Sequence, residues 1–179
     1  DQPTQEKTDI QFMTVGVGVG NTQIWDKNSF SINTSYINLA PYQYAFPDRN
    51  QWNEPYEGAS GEMVYRYQPN EDGLLKLYGA FSYSNFDLIQ DNINFDNGFR
   101  FGLENTNLYF NGSYKQRLGN GWKVSGGIGY TNDSSDINLE NDNVDNAENS
   151  AHFKVKAQKR YSSRLKFNFG AEYFITDFN

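Results

Sequence analysis

Side chains that could support catalysis are few in this sequence, and no spacing groups them. Ser, His and Asp all occur, but nothing places them as a nucleophilic triad, and no Gly-x-Ser-x-Gly turn is present. His152 is the single histidine and cysteine is absent, so a metal site of imidazole or thiolate ligands is not expected. The sequence therefore predicts no catalytic residue, no metal, no cofactor and no enzyme.

Two further stretches resemble ligand sites but favour simpler interpretations. Gly16, Gly18 and Gly20 repeat as in a phosphate loop, yet no helical pattern follows, so small residues in a strand are favoured. The stretch 132–150 contains six acidic residues and no Lys or Arg, and its carboxylates could bind calcium. Their spacing matches no EF-hand loop, so a solvated acidic loop is expected.

Lysines alternate with apolar residues along several segments. In 151–160, Lys154 and Lys156 alternate with Phe153 and Val155, and a period of two predicts a strand with two different faces. Basic side chains facing a lumen are expected at Lys123, Lys154, Lys156 and Lys166. Such a face favours an anionic solute or pairing with acidic residues of another part of the protein.

Aromatic residues are concentrated in the polar stretch 40–58. Tyr42, Tyr44, Trp52 and Tyr56 could stack on a sugar or a peptide, and they form the candidate ligand site. The same residues could instead belong to an aromatic girdle at a membrane surface or pack this segment against its neighbours.

Eight alternating segments must position these side chains. Strands are predicted at 11–20, 29–39, 59–68, 74–86, 100–116, 122–131, 151–160 and 164–175, with tight turns alternating with long polar loops at 40–58, 87–99 and 132–150. Apolar faces include Met13, Val15, Met63, Leu108 and Phe167, and these apolar faces carry no charge. A charge facing lipid costs about 2–4 kcal/mol, so this segregation is typical of a transmembrane wall.

The predicted fold is all-β: an antiparallel up-and-down transmembrane β-barrel segment. A soluble β-sandwich also alternates, but its strands are usually shorter, at about five or six residues. If the short turns are periplasmic, strand one starts and strand eight ends at the outer surface, which favours an internal slice of a larger barrel.

Several segments resemble the barrels of TonB-dependent receptors from Bacteroidetes. The most similar residues are 107–115, 118–123 and 129–132, and residues 60–67, 72–78, 81–88 and 169–174 are similar as well. The resemblance implies a barrel of about 22 strands, of which residues 1–179 form about eight. It also implies a partial barrel domain without its plug domain and closing strands.

The resemblance carries expectations about function. Such receptors import a siderophore, glycan or peptide across the Gram-negative outer membrane, with energy passed by TonB and long loops outside the cell. The expected partners are outer-membrane lipid, the rest of the barrel with its plug, TonB through the parent protein and a surface lipoprotein; no nucleic acid is expected. The alternatives are a receptor-like scaffold for a surface or lipoprotein complex and a soluble carbohydrate-binding module.

Overall fold

The computed structural model describes residues 16–46, 51–92, 95–140 and 142–178, so the predicted strand residues Met13 and Val15 lie outside it. Eight strands form one antiparallel sheet in sequence order. The strands are β1 (Gly16–Ile24), β2 (Asn28–Asn38), β3 (Gln51–Tyr67), β4 (Gly73–Asn92), β5 (Phe95–Gly119), β6 (Trp122–Leu139), β7 (Asp142–Arg160) and β8 (Lys166–Phe178). The predicted all-β, up-and-down topology is confirmed, and the described residues form one sheet rather than two packed sheets.

The register places the predicted apolar positions on one face of this sheet. Directly opposed residues of antiparallel strands project to the same face. One row joins Phe30, Tyr65, Leu77, Gly112, Ile128, Phe153 and Tyr173. We call the side that carries this row the belt face. The opposite side carries Lys76, Lys115, Lys123, Lys154, Lys156 and Lys166, and we call it the lysine face.

The prediction of long polar loops at 87–99 and 132–150 is wrong for the described residues. β4 continues to Asn92 and β5 starts at Phe95, while β6 continues to Leu139 and β7 starts at Asp142. Part of 40–58 also belongs to β3, which begins at Gln51. Asn, Asp and Ser disfavour strands, which is why these stretches suggest loops, but the antiparallel ladder continues through them.

A change in the phase of alternation accompanies this extension. In β4 the apolar residues move from odd positions, ending at Tyr83, to the even positions Phe86 and Leu88. In β6 they move from even positions, ending at Tyr130, to Ile137. In the extended parts of the β4–β5 and β6–β7 hairpins, the belt face therefore carries mainly polar residues, with Ile89 as an exception, and the apolar residues lie mainly on the lysine face.

The single described helix, α1 (Ala40–Ala45), was not expected from the sequence. Asn38 Oδ1 accepts a hydrogen bond of 2.8 Å from the Ala40 N–H, and a proline lies in the first turn, where its missing N–H carries no cost. No helix among the described residues has the length and apolar character needed to cross a membrane.

The sheet has no apolar core within the described part of the chain. Each strand packs mainly against its sequence neighbours, and α1 packs against β3. Phe153 on the belt face is 45% exposed, Val155 is 64% exposed and Phe169 is 60% exposed. The belt face is therefore an apolar surface that no other described element covers.

Candidate functional site

The candidate site is the sheet surface itself, beginning with the apolar belt on the belt face. Its exposed members are Val19, Ile32, Met63, Phe81, Leu108, Ile128, Phe153, Val155, Phe167, Phe169, Tyr173 and Ile175. About half of each of these large side chains is exposed, so together they present on the order of 1,000 Å² of apolar surface. Soluble monomers rarely expose apolar patches above a few hundred Å², and larger patches typically mark sites of contact with a membrane or another protein.

Tyrosines border the belt on both sides and direct their hydroxyls away from it. Towards the long hairpins, Tyr36 Oη donates to Glu57 at 2.5 Å and Tyr130 Oη donates to Asn149 at 3.2 Å. Towards the short turns, Tyr65 Oη donates to Asn28 at 3.3 Å and Tyr114 Oη donates to Gln116 at 2.5 Å. Aromatic rings with polar tips pointing outwards are typical of the two girdles at membrane surfaces.

The belt crosses the sheet obliquely. The cross-strand row that starts at Val19 of β1 reaches Asp177 of β8 after seven steps from strand to strand. The border of the belt on β8 is instead at Phe167, so the belt is offset from this row by ten residues. Phe30 of β2 shares a row with Tyr173, six residues from Phe167, over six steps. Each strand residue adds about 3.3 Å and neighbouring strands lie about 4.8 Å apart. For the two borders of the belt to run parallel to one plane across all strands, these offsets require the strands to be tilted by roughly 35–45° from the normal to that plane. Membrane barrels have this tilt.

The height of the belt is also close to that of a bilayer core. In β8 it runs from Phe167 to Ile175, which is about 27 Å along the strand and about 20 Å along the normal at this tilt. Side chains extend this height at both ends. The apolar band of outer-membrane barrels is about 25 Å tall.

The lysine face holds the four predicted basic residues together on its β6–β8 side. Lys123 lies opposite Gln158, Lys154 opposite Glu172, Lys156 opposite Gly170, and Lys166 opposite Arg160. Lys154 Nζ donates to Glu172 Oε1 at 2.8 Å, and His152 Nε2 lies 2.9 Å from the same oxygen. The His152 ring stacks on Phe174 at 3.9 Å between ring centres, so it is held as a wall residue.

Beyond the tyrosine girdle, the belt face becomes polar and charged. Arg100 contacts Asp87 with two donors, Nε to Oδ1 at 3.2 Å and Nη2 to Oδ2 at 2.6 Å. These hydrogen bonds lower the pKa of Asp87 below its ordinary value, burial opposes this effect, and a hydrogen bond from Asn53 adds to it. Asn85 Nδ2 also donates to Glu54 at 2.7 Å. This surface is suited to water rather than to lipid.

The structure divides the four aromatic residues predicted as a ligand site. Tyr42 and Tyr44 lie on α1, where Tyr42 packs 5.3 Å from Phe46 and Tyr44 is 94% exposed. Trp52 and Tyr56 lie in β3, where Trp52 is opposite Leu88 and the Tyr56 ring is 6.3 Å from Phe86. The structure therefore assigns two of these aromatic residues to α1 and two to β3.

The sequence interpretation missed an apolar stripe on the lysine face of the long hairpins. It comprises Phe86, Leu88, Phe101, Leu103, Ile137 and Leu139, and the rings of Phe86 and Phe101 lie 5.5 Å apart. The sequence contains a signal for this stripe. In β4 and β6, apolar and polar residues continue to alternate with period two after the apolar positions change from one face to the other. The predicted acidic loop is likewise a hairpin, and no group of carboxylates in the described residues is arranged to hold a metal.

No protein-family model matches the chain, and no curated protein matches it. The resemblance to TonB-dependent receptors therefore stays a prediction from the sequence. The belt, its two girdles and the lysine face are the features from which a function can be inferred.

Proposed function

We propose that this chain forms part of the wall of a transmembrane β-barrel, with the belt face against lipid and the lysine face towards the lumen. The observation that carries the proposal is an uncovered apolar belt bordered on both sides by tyrosines whose hydroxyls point away from it. A bilayer supplies the two environments that such a surface needs, hydrocarbon along the belt and polar headgroups at its borders.

The distribution of charge supports this orientation of the wall. The opposite orientation places Lys123, Lys154, Lys156 and Lys166 against hydrocarbon, at about 2–4 kcal/mol for each charge near the midplane. Lys159 is on the belt face, but it lies at the border of the belt next to the short turns. Its Nζ donates to the Asn120 carbonyl at 2.5 Å and lies over the Trp122 ring. A lysine at that border can reach the headgroups.

The open edges of the sheet support the proposal that further strands complete a barrel. In the part of the chain that the structure describes, β1 and β8 each pair with one neighbour and not with each other. An exposed row of N–H and C=O groups in hydrocarbon costs several kcal/mol for each unsatisfied group. A larger barrel of about 22 strands, as in the receptors that the sequence resembles, removes both edges.

The function we propose for that larger barrel is nutrient import as a TonB-dependent receptor of the Gram-negative outer membrane. Two kinds of support are available: the wall geometry described above and the resemblance of strands and turns in the sequence. In this arrangement the short turns lie in the periplasm, and the long hairpins with their charged belt face lie outside the cell. A plug inside the barrel would face the lysines.

Cell fractionation tests the membrane assignment. The protein is expressed with its native flanking sequence in a Gram-negative host, and the membranes are washed with urea and then separated on a density gradient. The proposal predicts that it stays in the outer-membrane fraction after the wash. Recovery in the supernatant without detergent would instead favour the soluble carbohydrate-binding alternative.

Uptake measurements test the transport assignment separately. Strains with and without the parent gene are compared for depletion of siderophores, glycans and peptides from the medium, before and after the proton motive force is dissipated. A receptor energised by TonB predicts a gene-dependent uptake that stops with the proton motive force. A protein that stays in the outer membrane without any such uptake would favour the scaffold alternative.

A further inference from the structure

The lysine face contains a hollow where β6 lacks side chains. Gly127 and Gly129 form its floor, and its volume is about 270 Å³. Basic and polar residues of β5 and β7 line it, including Ser113, Lys115, His152, Lys154 and Lys156. The hollow is too small for a drug-sized ligand but large enough for one charged group of a solute.

The register explains why cations surround this floor. Ser113, Gly127 and Lys154 form one cross-strand row, and Lys115, Ser125 and Lys156 form the next row on this face. Lys115 and Lys156 are therefore two strands apart, about 10 Å between their backbones. Since each lysine stem has four carbons, both ammonium groups can reach an ion bound above the glycines.

The positive charge of the hollow is only partly balanced. Glu172 accepts from Lys154 and contacts His152, whereas within the described residues neither Lys115 nor Lys156 forms an ion pair. Three lysines therefore face one glutamate. Like charges on neighbouring positions of a sheet face repel one another, so a bound anion would stabilise this arrangement.

We propose that this hollow binds an oxyanion, a carboxylate or phosphate group of a small solute. The proposal rests on the proposed function, because a lumen face is what brings solutes to the hollow. Lys115, Lys154 and Lys156 supply the charge, and the hydroxyls of Ser113 and Ser125 can donate to the anion. The geometry thus assigns anionic solutes as the class that the passage favours.

The two floor glycines provide a direct readout. The protein with its native flanking sequence is purified in detergent micelles with isotope label in glycine only, and the backbone amide signals of Gly127 and Gly129 are followed by NMR during titration with citrate, inorganic phosphate or glucose at constant ionic strength. We expect saturable shifts with citrate or phosphate and none with glucose.

Matched variants separate a built site from general attraction. The double variant Lys154→Gln/Lys156→Gln should weaken anion binding by about tenfold or more. The double variant Lys123→Gln/Lys166→Gln removes the same charge from the same face outside the hollow and should change binding less than about twofold. Gly129→Leu keeps every charge but fills the hollow, and it should abolish the shift of the remaining Gly127 signal. A first added carbon meets no atom closer than 3.8 Å there, so the strand should tolerate it.

Three results would overturn the inference. Equal weakening by both double variants means that only the overall charge attracts the anion. Saturable binding of a glutamate-rich peptide with no response to citrate or phosphate means that the hollow pairs with a protein segment such as a plug. If the belt contacts detergent but no anion shifts the glycine signals, this inference fails and the proposed function stands. If the protein does not associate with detergent at all, the proposed function fails.

Discussion

At the scale of single residues, the contact between Arg100 and Asp87 shows where the belt face returns to water. The carboxylate side chain of Asp87 is 13% exposed and the guanidinium of Arg100 is 47% exposed. The folded state holds the pKa of Asp87 below its ordinary value. The pair therefore stabilises the hairpin fully at pH values above the ordinary pKa of an aspartate. This stabilisation is lost as the pH falls through the lowered pKa.

Replacing Arg100 tests this assignment. Arg100→Gln removes the largest cause of the shift, so the pKa of Asp87 should rise towards its ordinary value. The protection factors of the amides in the β4–β5 hairpin, which are corrected for the intrinsic exchange rate at each pH, should then lose their dependence on pH in that range. An NMR titration of the side-chain carboxyl carbon measures both states. Arg117→Gln is the control, since Arg117 and Asp72 are 68% and 55% exposed at 3.3 Å. An unchanged pKa in Arg100→Gln would show that the contact does not hold the carboxylate.

The same scale shows why some site residues could be predicted and others could not. The common face of Lys154 and Lys156 is predictable, because their alternation with Phe153 and Val155 is a local signal of the strand. Tyr42 and Trp52 could not be placed, because their separation depends on a short helix and on register shifts in β3 near Glu54. Neither feature has a strong signature in the sequence.

At the scale of elements, the β5–β6 turn depends on backbone conformations that glycine adopts readily. Gly119, Asn120 and Gly121 all have positive φ, at 78°, 45° and 74°. The Gly121 carbonyl accepts a hydrogen bond of 2.8 Å from the Arg160 N–H, so β7 passes close to the turn. A Cβ at Gly121 would overlap the Arg160 carbonyl oxygen, whereas nothing lies within 4 Å of a Cβ at Gly119.

This asymmetry predicts two different alanine variants. Gly119→Ala adds only backbone strain and should destabilise the turn by about 1–2 kcal/mol. Gly121→Ala adds the same strain and a clash, so it should cost at least about 1 kcal/mol more. Urea unfolding of both variants in detergent measures the difference. Equal unfolding midpoints would mean that β7 does not approach the turn as described.

The number and order of the strands were predictable from the sequence, but the ends of the strands were not. Tight turns at 70–73, 118–121 and 161–164 contain Gly, Asn, Asp or Ser, and each lies where two strands reverse. The predicted strand 74–86 ends shortly after the change of phase at Ser84 and Asn85, whereas β4 continues to Asn92. In physical terms, polar residues that project to water on the belt face reverse the pattern without ending the strand.

Positions on either side of this change test where the belt ends. Phe81 and Asp87 lie six residues apart on the belt face of β4. Since the chain contains no cysteine, Phe81→Cys and Asp87→Cys each provide one thiol. A membrane-impermeant maleimide should label position 87 rapidly in lipid vesicles and leave position 81 protected. Equal labelling would place the border of the belt elsewhere.

At the scale of the whole molecule, the open sheet governs how the 179-residue chain should behave alone. With β1 and β8 as unpaired edges, refolding in detergent should give assemblies whose size grows with protein concentration, because edge strands pair between copies. Size-exclusion chromatography with light scattering measures this. A monodisperse, heat-modifiable monomer would show that the chain closes its own barrel and needs no further strands.

The central claim is that the belt face contacts lipid while the lysine face does not, and two adjacent residues of β7 test it most directly. Lys154→Cys and Val155→Cys project to opposite faces of the same strand. Each thiol is labelled with a small fluorophore in lipid vesicles and exposed to a nitroxide lipid or to aqueous iodide. The wall assignment predicts that the nitroxide lipid quenches position 155 and that iodide quenches position 154. Quenching of position 155 by iodide and of position 154 by the nitroxide lipid would contradict it.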